Sequence, residues 1–317
     1  MKYGAIDIGT NSMRLLLAEE EGGVLLNREK FINTTRLGHG IDENGFISRE
    51  YLDLNIEALK LFSQKCKEFG CEKIFCIGTA ALRNSKNGVE FVKRAKEEIG
   101  IKVEIISGER EAYLGYKGVT GGISIADDYV LILDIGGGST EFVFGNSKEI
   151  LYRRSINLGA LSTTDRFISS MPESNEELVK LNKFINGEVS SVIKDLKEVC
   201  DSYKVKDGFR FLGIGGTITS VSAINQKLES YSMEKIYASF VSFDELNTQI
   251  EKISRMNLDE RRHIKGLQAK RAEIILSGEL ILKSVMDNLS LDRIQISEFD
   301  NLEGIILEDM SKLNKQK

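Results

Sequence analysis

Tryptophan is absent, proline occurs once, at Pro172, and histidine only twice, at His39 and His263. Two histidines so far apart argue against a histidine-ligated metal and against Ser-His or Cys-His catalysis. A single proline leaves no stiff linker, and no low-complexity segment stands out. The four cysteines, Cys66, Cys71, Cys76 and Cys200, have no histidine near them. They read as reduced, half-buried thiols rather than as a metal site. No apolar run reaches the roughly 20 residues of a membrane span, and MKYGAIDIGT at the start has no signal-peptide character. The expected location is the cytoplasm, with no membrane partner. Any chemistry then falls to carboxylates, backbone amides and a hard cation.

What is present is an alternation of strand-like and helix-like segments. The chain has 317 residues, 41% hydrophobic and 29% charged, enough for two domains. Apolar runs at 3–8, 13–18, 73–77, 102–106, 130–135, 141–144 and 210–214 read as strands. Helical periodicity appears near 49–69, 88–99, 109–117, 175–201, 216–226, 243–255 and 271–287. This predicts an α/β fold. Gly121-Gly122, followed by Asp127-Asp128, marks the boundary, so domains are expected at 1–122 and 123–302. The tail opens as an amphipathic helix, 303–317, expected to pack back on the first domain and to end in exposed lysines.

One motif occurs twice. Asp7-Ile8-Gly9-Thr10-Asn11-Ser12-Met13-Arg14 aligns with Asp134-Ile135-Gly136-Gly137-Gly138-Ser139-Thr140-Glu141, and aspartate, isoleucine, first glycine and serine coincide. Each copy lies between two apolar strands and reads as a hairpin whose small-residue turn can aim backbone N–H groups at one anion. The aspartate is an acceptor-only group, suited to a hydrated Mg²⁺. Taken singly, either copy would be an ordinary turn; the repetition is what points to a phosphate chain gripped from both sides. A third glycine cluster, Gly213-Ile214-Gly215-Gly216-Thr217, reads as a strand-to-helix turn favourable to an anion. No Walker-type phosphate loop is present.

These turns resemble the superfamily of acetate and sugar kinases, actin and the heat-shock chaperone ATPases. More closely, the chain resembles the exopolyphosphatase/guanosine pentaphosphate phosphatase (Ppx/GppA) family, in its short two-domain form. The resemblance rests on the first repeat with Arg14, on Gly78-Thr79-Ala80-Ala81-Leu82-Arg83 with Asn87, on Ile106-Ser107-Gly108 with Glu111-Ala112, and on the second repeat. It continues through Asn157-Leu158-Gly159, Gly215-Gly216-Thr217, and Gly266-Leu267 with Arg271-Ala272 and Gly278. It implies two related actin-like (ribonuclease H-like) domains facing across a phosphate-binding cleft and hinged near Gly121-Gly122.

The resemblance also implies roles. Glu111 is the expected catalytic group, positioning the attacking water. Phosphate contacts fall to Gly9, Thr10, Asn11, Ser12, Arg14, Arg83, Asn87, Gly136, Gly137, Gly138, Ser139, Thr140, Gly215, Gly216 and Thr217. Asp7, Asp134 and Glu141 are the Mg²⁺-side carboxylates; K⁺ is an expected activator and a homodimer an expected assembly. From charge alone, Glu111 would be a helix-start carboxylate, Arg83 a surface ion pair and Glu141 a cross-strand charge.

A net charge of −5 suits a polyanionic substrate only if positive charge is local. The run at 261–271 carries five Lys/Arg and no acid, and if it borders the cleft it could guide such a substrate. Nucleic acid is not the expected partner, for want of an aromatic-plus-basic segment. Two departures from the family pattern remove positive charge. Ser162 stands where an arginine is usual, and Ser297-Glu298-Phe299-Asp300-Asn301-Leu302-Glu303-Gly304 replaces Ser-Asp-Arg-Gly-Leu-Arg-Glu-Gly. The expected function is a Mg²⁺-dependent exopolyphosphatase acting on inorganic polyphosphate. Guanosine pentaphosphate, and with it the stringent response, is the competing substrate; a phosphotransferase and a nucleotide-gated binding protein are the alternatives.

Overall fold

The structure is a computed structural model that describes residues 1–126, 128–205 and 208–314. Asp127 of the boundary segment and the terminal Lys315 and Lys317 lie outside the described residues. The chain divides into two compact units, the first made of Met1–Gly121 with Asn301–Lys317 and the second of Gly122–Asp300. Among the described residues no helix is long and apolar enough to cross a membrane.

The first unit opens with three antiparallel strands, β1 (Lys2–Ile8), β2 (Met13–Glu21) and β3 (Val24–Asn33). After α1 (Arg49–Phe69), strand β4 (Lys73–Gly78) pairs in parallel with β1. Helices α2 (Ala80–Asn84) and α3 (Gly88–Arg94), strand β5 (Glu104–Ile105) and helix α4 (Gly108–Gly122) follow. The second unit repeats the plan with β6 (Val130–Ile135), β7 (Thr140–Gly145), β8 (Ile150–Ile156), α5 (Ala160–Phe167), α6 (Asn175–Ser202), β9 (Arg210–Ile214) and α7 (Gly215–Asn225). It adds α8 (Met233–Ile236), β10 (Phe240–Ser242), α9 (Phe243–Ile253), α10 (Leu258–Arg262), α11 (Ile275–Leu289) and β11 (Arg293–Ile296). The last helix, α12 (Asn301–Asn314), belongs to the first unit.

The two sheets run β3-β2-β1-β4-β5 and β10-β11-β9-β6-β7-β8. Reading the second backwards gives the same plan: an antiparallel trio, then parallel strands on the far side of the first. This is a duplicated α/β architecture, in keeping with the two related domains that the resemblance implied. Four strands escape the sequence pattern, β3, β8, β10 and β11. The first two carry Arg28-Glu29-Lys30 and Arg153-Arg154, charges tolerated because β3 and β8 are edge strands. Gly121-Gly122, read as a helix break, instead forms the last turn of α4.

Alternation along β1 and β2 sorts the first unit's core into two faces. Ile6, Ile8, Met13 and Leu15 pack with Leu52, Ile56, Leu59 and Phe62 of α1. Tyr3, Ala5, Leu16 and Ala18 pack on the other face with Leu114 of α4 and Leu302 and Ile306 of α12. Asp7 and Arg14 fall on this second face by the same period of two. In the second unit Leu131, Leu133, Ile135, Phe142 and Phe144 pack with Leu181, Ile185 and Val189 of α6 and with α11. Asp134 and Glu141 are on the opposite face of that sheet.

Candidate phosphate-binding turns

Each repeat is a two-residue turn closed by the same hydrogen bond. Gly9 N–H donates to Ser12 C=O at 3.1 Å, and Gly136 N–H to Ser139 C=O at 2.9 Å. The turn carbonyls are then tied down by whatever follows the third strand. In the first unit Arg36 N–H donates to Asn11 C=O and Gly38 N–H to Thr10 C=O, both at 2.9 Å. In the second, Ala160 N–H donates to Gly136 C=O, and the N–H groups of Leu161 and Ser162 to Gly137 C=O, all at 2.9 Å. Carbonyls tied to the following element in this way make the N–H groups of each turn a candidate anion site.

What approaches the glycine run so closely is Gly159. A methyl group there would stand 2.4 Å from the Gly137 carbonyl and the Gly138 nitrogen. Gly38 has the same place over the first turn, where a methyl would meet Thr10 Cγ2 at 2.2 Å. The side chains predicted to reach phosphate fare unequally. Thr140 is buried, and its hydroxyl donates to Leu158 C=O at 2.5 Å, so it braces the turn. Asn11 Nδ2 donates to Ser12 Oγ at 3.1 Å while its Oδ1 is buried with no hydrogen-bond partner among the described residues. Asn87 uses both ends of its amide on the backbone of Ile47, at 2.8 and 2.9 Å; it clamps a loop.

The carboxylates differ most. Asp7 pairs across the strands with Arg14, whose Nη2 lies 2.5 Å from Asp7 Oδ2. Asn301 completes the cluster, accepting from Arg14 Nη2 at 2.7 Å and donating to Asp7 Oδ2 at 3.3 Å. Arg14, expected on phosphate, is therefore engaged with its own strand partner, and Asn301, 294 residues from Asp7, carries no sequence signal. Asp7 Oδ1 stays buried without a hydrogen-bond partner among the described residues. In the second unit the residue directly opposite Asp134 is another acid, Glu141. Glu141 is 2% exposed and accepts from Ser155 Oγ at 2.7 Å. Asp134 lies on the strand-to-helix turn, since a methyl at Gly215, whose φ is +85°, would be 2.1 Å from its Oδ1. There it meets the favourable N-terminal end of α7. The guanidinium of Arg271 covers the next residue, 1.9 Å from where a methyl on Gly216 would be. Thr217 is buried against Gly278.

Glu111 and Arg83 do meet. Arg83 Nη1 lies 3.0 Å from Glu111 Oε2 and 3.0 Å from Ile106 C=O. Both side chains are mostly shielded, 19% and 11% exposed, so this is more than a surface pair. Ser107 starts α4, its Oγ accepting from Arg110 N–H at 3.2 Å and its carbonyl from Glu111 N–H at 2.9 Å. α12 holds α4 in place: a methyl at Gly304 would be 1.9 Å from Leu114 C=O. Arg110 grips Glu308 with both terminal nitrogens, at 2.7 and 2.5 Å, and this bond holds the Glu308 carboxyl below its ordinary range.

The basic run at 261–271 divides: Arg262, Lys265 and Lys270 are exposed, while Arg261 and Arg271 are buried. Arg261 is wholly buried in a two-pronged pair with Glu173, with its Nε directed at the carbonyls of Ile253 and Met256. Arg262 pairs with Asp259 and Lys265 with Glu229. Glu279 is also wholly buried, and neither carboxyl oxygen has a hydrogen-bond partner among the described residues. Burial pushes its carboxyl well above the ordinary range, with Arg261 pulling the other way. Ser162, at the position of a missing arginine, caps α5 instead: its Oγ accepts from Gly159 N–H at 3.2 Å. Phe299 packs on Gly122 and Leu302 is 1% exposed, so the other two substituted positions serve packing.

Residues 17–313 match the model of the Ppx/GppA phosphatase family. A bifunctional 3-dehydroquinate synthase/phosphatase of Fusobacterium nucleatum is 36% identical over 96% of this chain and 46% of its own length. A guanosine-5'-triphosphate,3'-diphosphate pyrophosphatase of Photobacterium profundum is 27% identical over 98% of this chain and 60% of its own. The chain thus spans about half the length of the curated relatives it matches. Among solved structures, an exopolyphosphatase from Cytophaga hutchinsonii superposes with a TM-score of 0.87 at 27% identity, covering 98% of each chain. A Ppx/GppA family member from Aquifex aeolicus gives 0.79 at 28% identity, covering 99% of each. With that match over most of its length, the chain belongs to the Ppx/GppA phosphatase family.

Proposed function

We infer that the protein hydrolyses the terminal phosphoanhydride of inorganic polyphosphate in the presence of Mg²⁺. The observation that carries this reading is the repeated turn, whose carbonyls are tied back so that its N–H groups remain for phosphate oxygens. Glu111 supports hydrolysis rather than transfer to a bulky acceptor: held by Arg83, its carboxylate accepts a hydrogen bond from one water and aims that oxygen at phosphorus. As the new P–O bond forms, the anhydride bond breaks and its electron pair leaves on the shortened chain. The water's proton passes to Glu111 or to the released phosphate.

The donor set suits Mg²⁺, which is commonly held by one or two carboxylates with waters and substrate oxygens completing the shell. Asp134 and Glu141 project from opposed positions on one sheet face, and Asp7 keeps one buried oxygen without a hydrogen-bond partner among the described residues. When bound, the ion would offset charge on the phosphoryl oxygens. Guanosine pentaphosphate is the second reading, favoured by the apolar Phe299 and Leu302 and the paired 261–271 run, which leave less positive charge for a long chain.

Phosphate release with Mg²⁺, from long polyphosphate and guanosine pentaphosphate in parallel, tests the reading. Preferential release from polyphosphate, falling about 100-fold or more in Glu111→Ala, is the expected outcome. Release from neither substrate would remove the hydrolase reading; preference for the nucleotide would select the second substrate.

A further inference from the structure

Cys66 and Cys71 meet at Gly4, near the start of β1 and away from the turn at 9–12. Helix α1 ends at Gly70 in the left-handed conformation, φ 79°, and Cys71 N–H reaches back to Cys66 C=O at 2.9 Å. In this type of helix ending the side chains of those two positions meet. Here both are thiols. A methyl group at Gly4 would stand 2.7 Å from Cys66 Sγ and 3.2 Å from Cys71 Sγ, so the two sulfurs share the space a β1 side chain would fill. One hydrogen bond of 2.9 Å keeps their α-carbons inside the roughly 7 Å beyond which a disulfide cannot close.

The two thiols are not equivalent. Cys66 is wholly buried and Cys71 is half-buried. Burial pushes Cys66 up to about 12. Burial raises Cys71 too, an upward shift that a hydrogen bond from Cys66 and the charge of Lys2 reduce but do not cancel. Lys2 is held there by Phe69, with its Nζ 3.3 Å from the Phe69 carbonyl. A half-buried thiol beside a lysine, backed by a wholly buried second thiol, is the layout of an attacking and a resolving cysteine.

We propose that Cys66 and Cys71 are a dithiol that a small-molecule disulfide converts to an intramolecular disulfide, a covalent modification site at the α1 end of the first unit. The Cys71 thiolate attacks one sulfur of the reagent; its S–S bond breaks and one thiolate leaves. Cys66, its proton lost to solvent, attacks Cys71 Sγ in the mixed disulfide and expels the second thiolate. The two cysteines lose two electrons and two protons, and the reagent is reduced to two thiols. Cys76, fully buried on β4, has no route for the reagent and stays reduced.

The test is incubation of the intact chain with oxidised glutathione at pH 8.5, then alkylation and peptide mass mapping. The free thiols should fall from four to two, or to one if Cys200 takes up glutathione, with a peptide linked between Cys66 and Cys71. Cys66→Ser should instead hold glutathione on Cys71, and Cys71→Ser should leave Cys66 unmodified. Both Cys66 and Cys71 remaining alkylatable in the wild-type chain, or a stable glutathione adduct on Cys71 there, would overturn the proposal, as would a link from Cys66 to Cys76. The readout is independent of phosphate release, so it stands or falls apart from the proposed activity.

Discussion

The two turns share a backbone and differ in one charge. Both close with the same hydrogen bond and both have their carbonyls tied to the element after the third strand. Yet the residue facing the aspartate is Arg14 in the first unit and Glu141 in the second. A carboxylate opposite a guanidinium is largely satisfied by its neighbour; two carboxylates opposite each other repel unless donors or a cation intervene. On the function proposed above, the duplication would supply two similar anion cradles, with cation affinity concentrated in the second. The placement of Asp134 on the N-terminal end of α7 reinforces this, because the helix start lowers the cost of keeping that acid charged.

The largest expected effect comes from erasing the difference. Glu141→Arg gives the second turn the partner found in the first, and it should cost about 100-fold or more in phosphate release, with the Mg²⁺ dependence displaced to higher concentration. Steady-state rates across a Mg²⁺ titration, beside a circular dichroism check of folding, decide it; an unchanged Mg²⁺ profile would mean that the opposed acids are not the cation side.

Next comes the support beneath each turn. Gly159→Ala drives a methyl into backbone atoms that cannot rotate away, and should destabilise the chain by about 3 kcal/mol. Gly38→Ala meets a threonine methyl first, and about 1 kcal/mol is expected. Urea denaturation of the two variants would reveal whether the cradles are equally rigid; equal losses would contradict the asymmetry.

The smallest effect concerns how each unit neutralises a buried acid. Asp7 uses an opposite charge, whereas Glu279 has no hydrogen-bond partner among the described residues and burial pushes its carboxyl well above the ordinary range. Because its folded pKa is raised, the stability tied to its proton is fully present below the ordinary carboxylate range. It is lost as pH climbs from there toward the folded pKa. Relative to Glu279→Gln, the wild-type chain should lose up to about 1.4 kcal/mol per pH unit in that window. Denaturation at pH 4, 5.5 and 7 checks the sign, and a constant difference across the three would refute it.

How much of this was legible in the sequence depended on whether the cause was local. The repeat could be read because a tight turn demands small residues at fixed offsets, and Asp7 to Ser12 and Asp134 to Ser139 share those demands. Glu111 sat at a recognisable helix start, after Ser107-Gly108. Strands β3 and β8 were hidden by charges that an edge strand tolerates. Asn301 beside Asp7, Glu173 on Arg261 and Ile47 on Asn87 were hidden for a different reason: each partner is supplied by tertiary packing across tens to hundreds of residues. A charged run such as 261–271 looks solvated until the acid that buries part of it is known.

The return of α12 to the first unit sets the order in which the chain can be completed. Leu302 and Ile306 fill that unit's core, and Glu303, fully buried, receives Arg28 and Lys30. On the ribosome the first unit emerges early but waits for its final helix until the continuous second unit has been made. The second unit, although later in sequence, has all its strands earlier than the first has all its core. Vectorial synthesis thus makes the N-terminal unit the last to close.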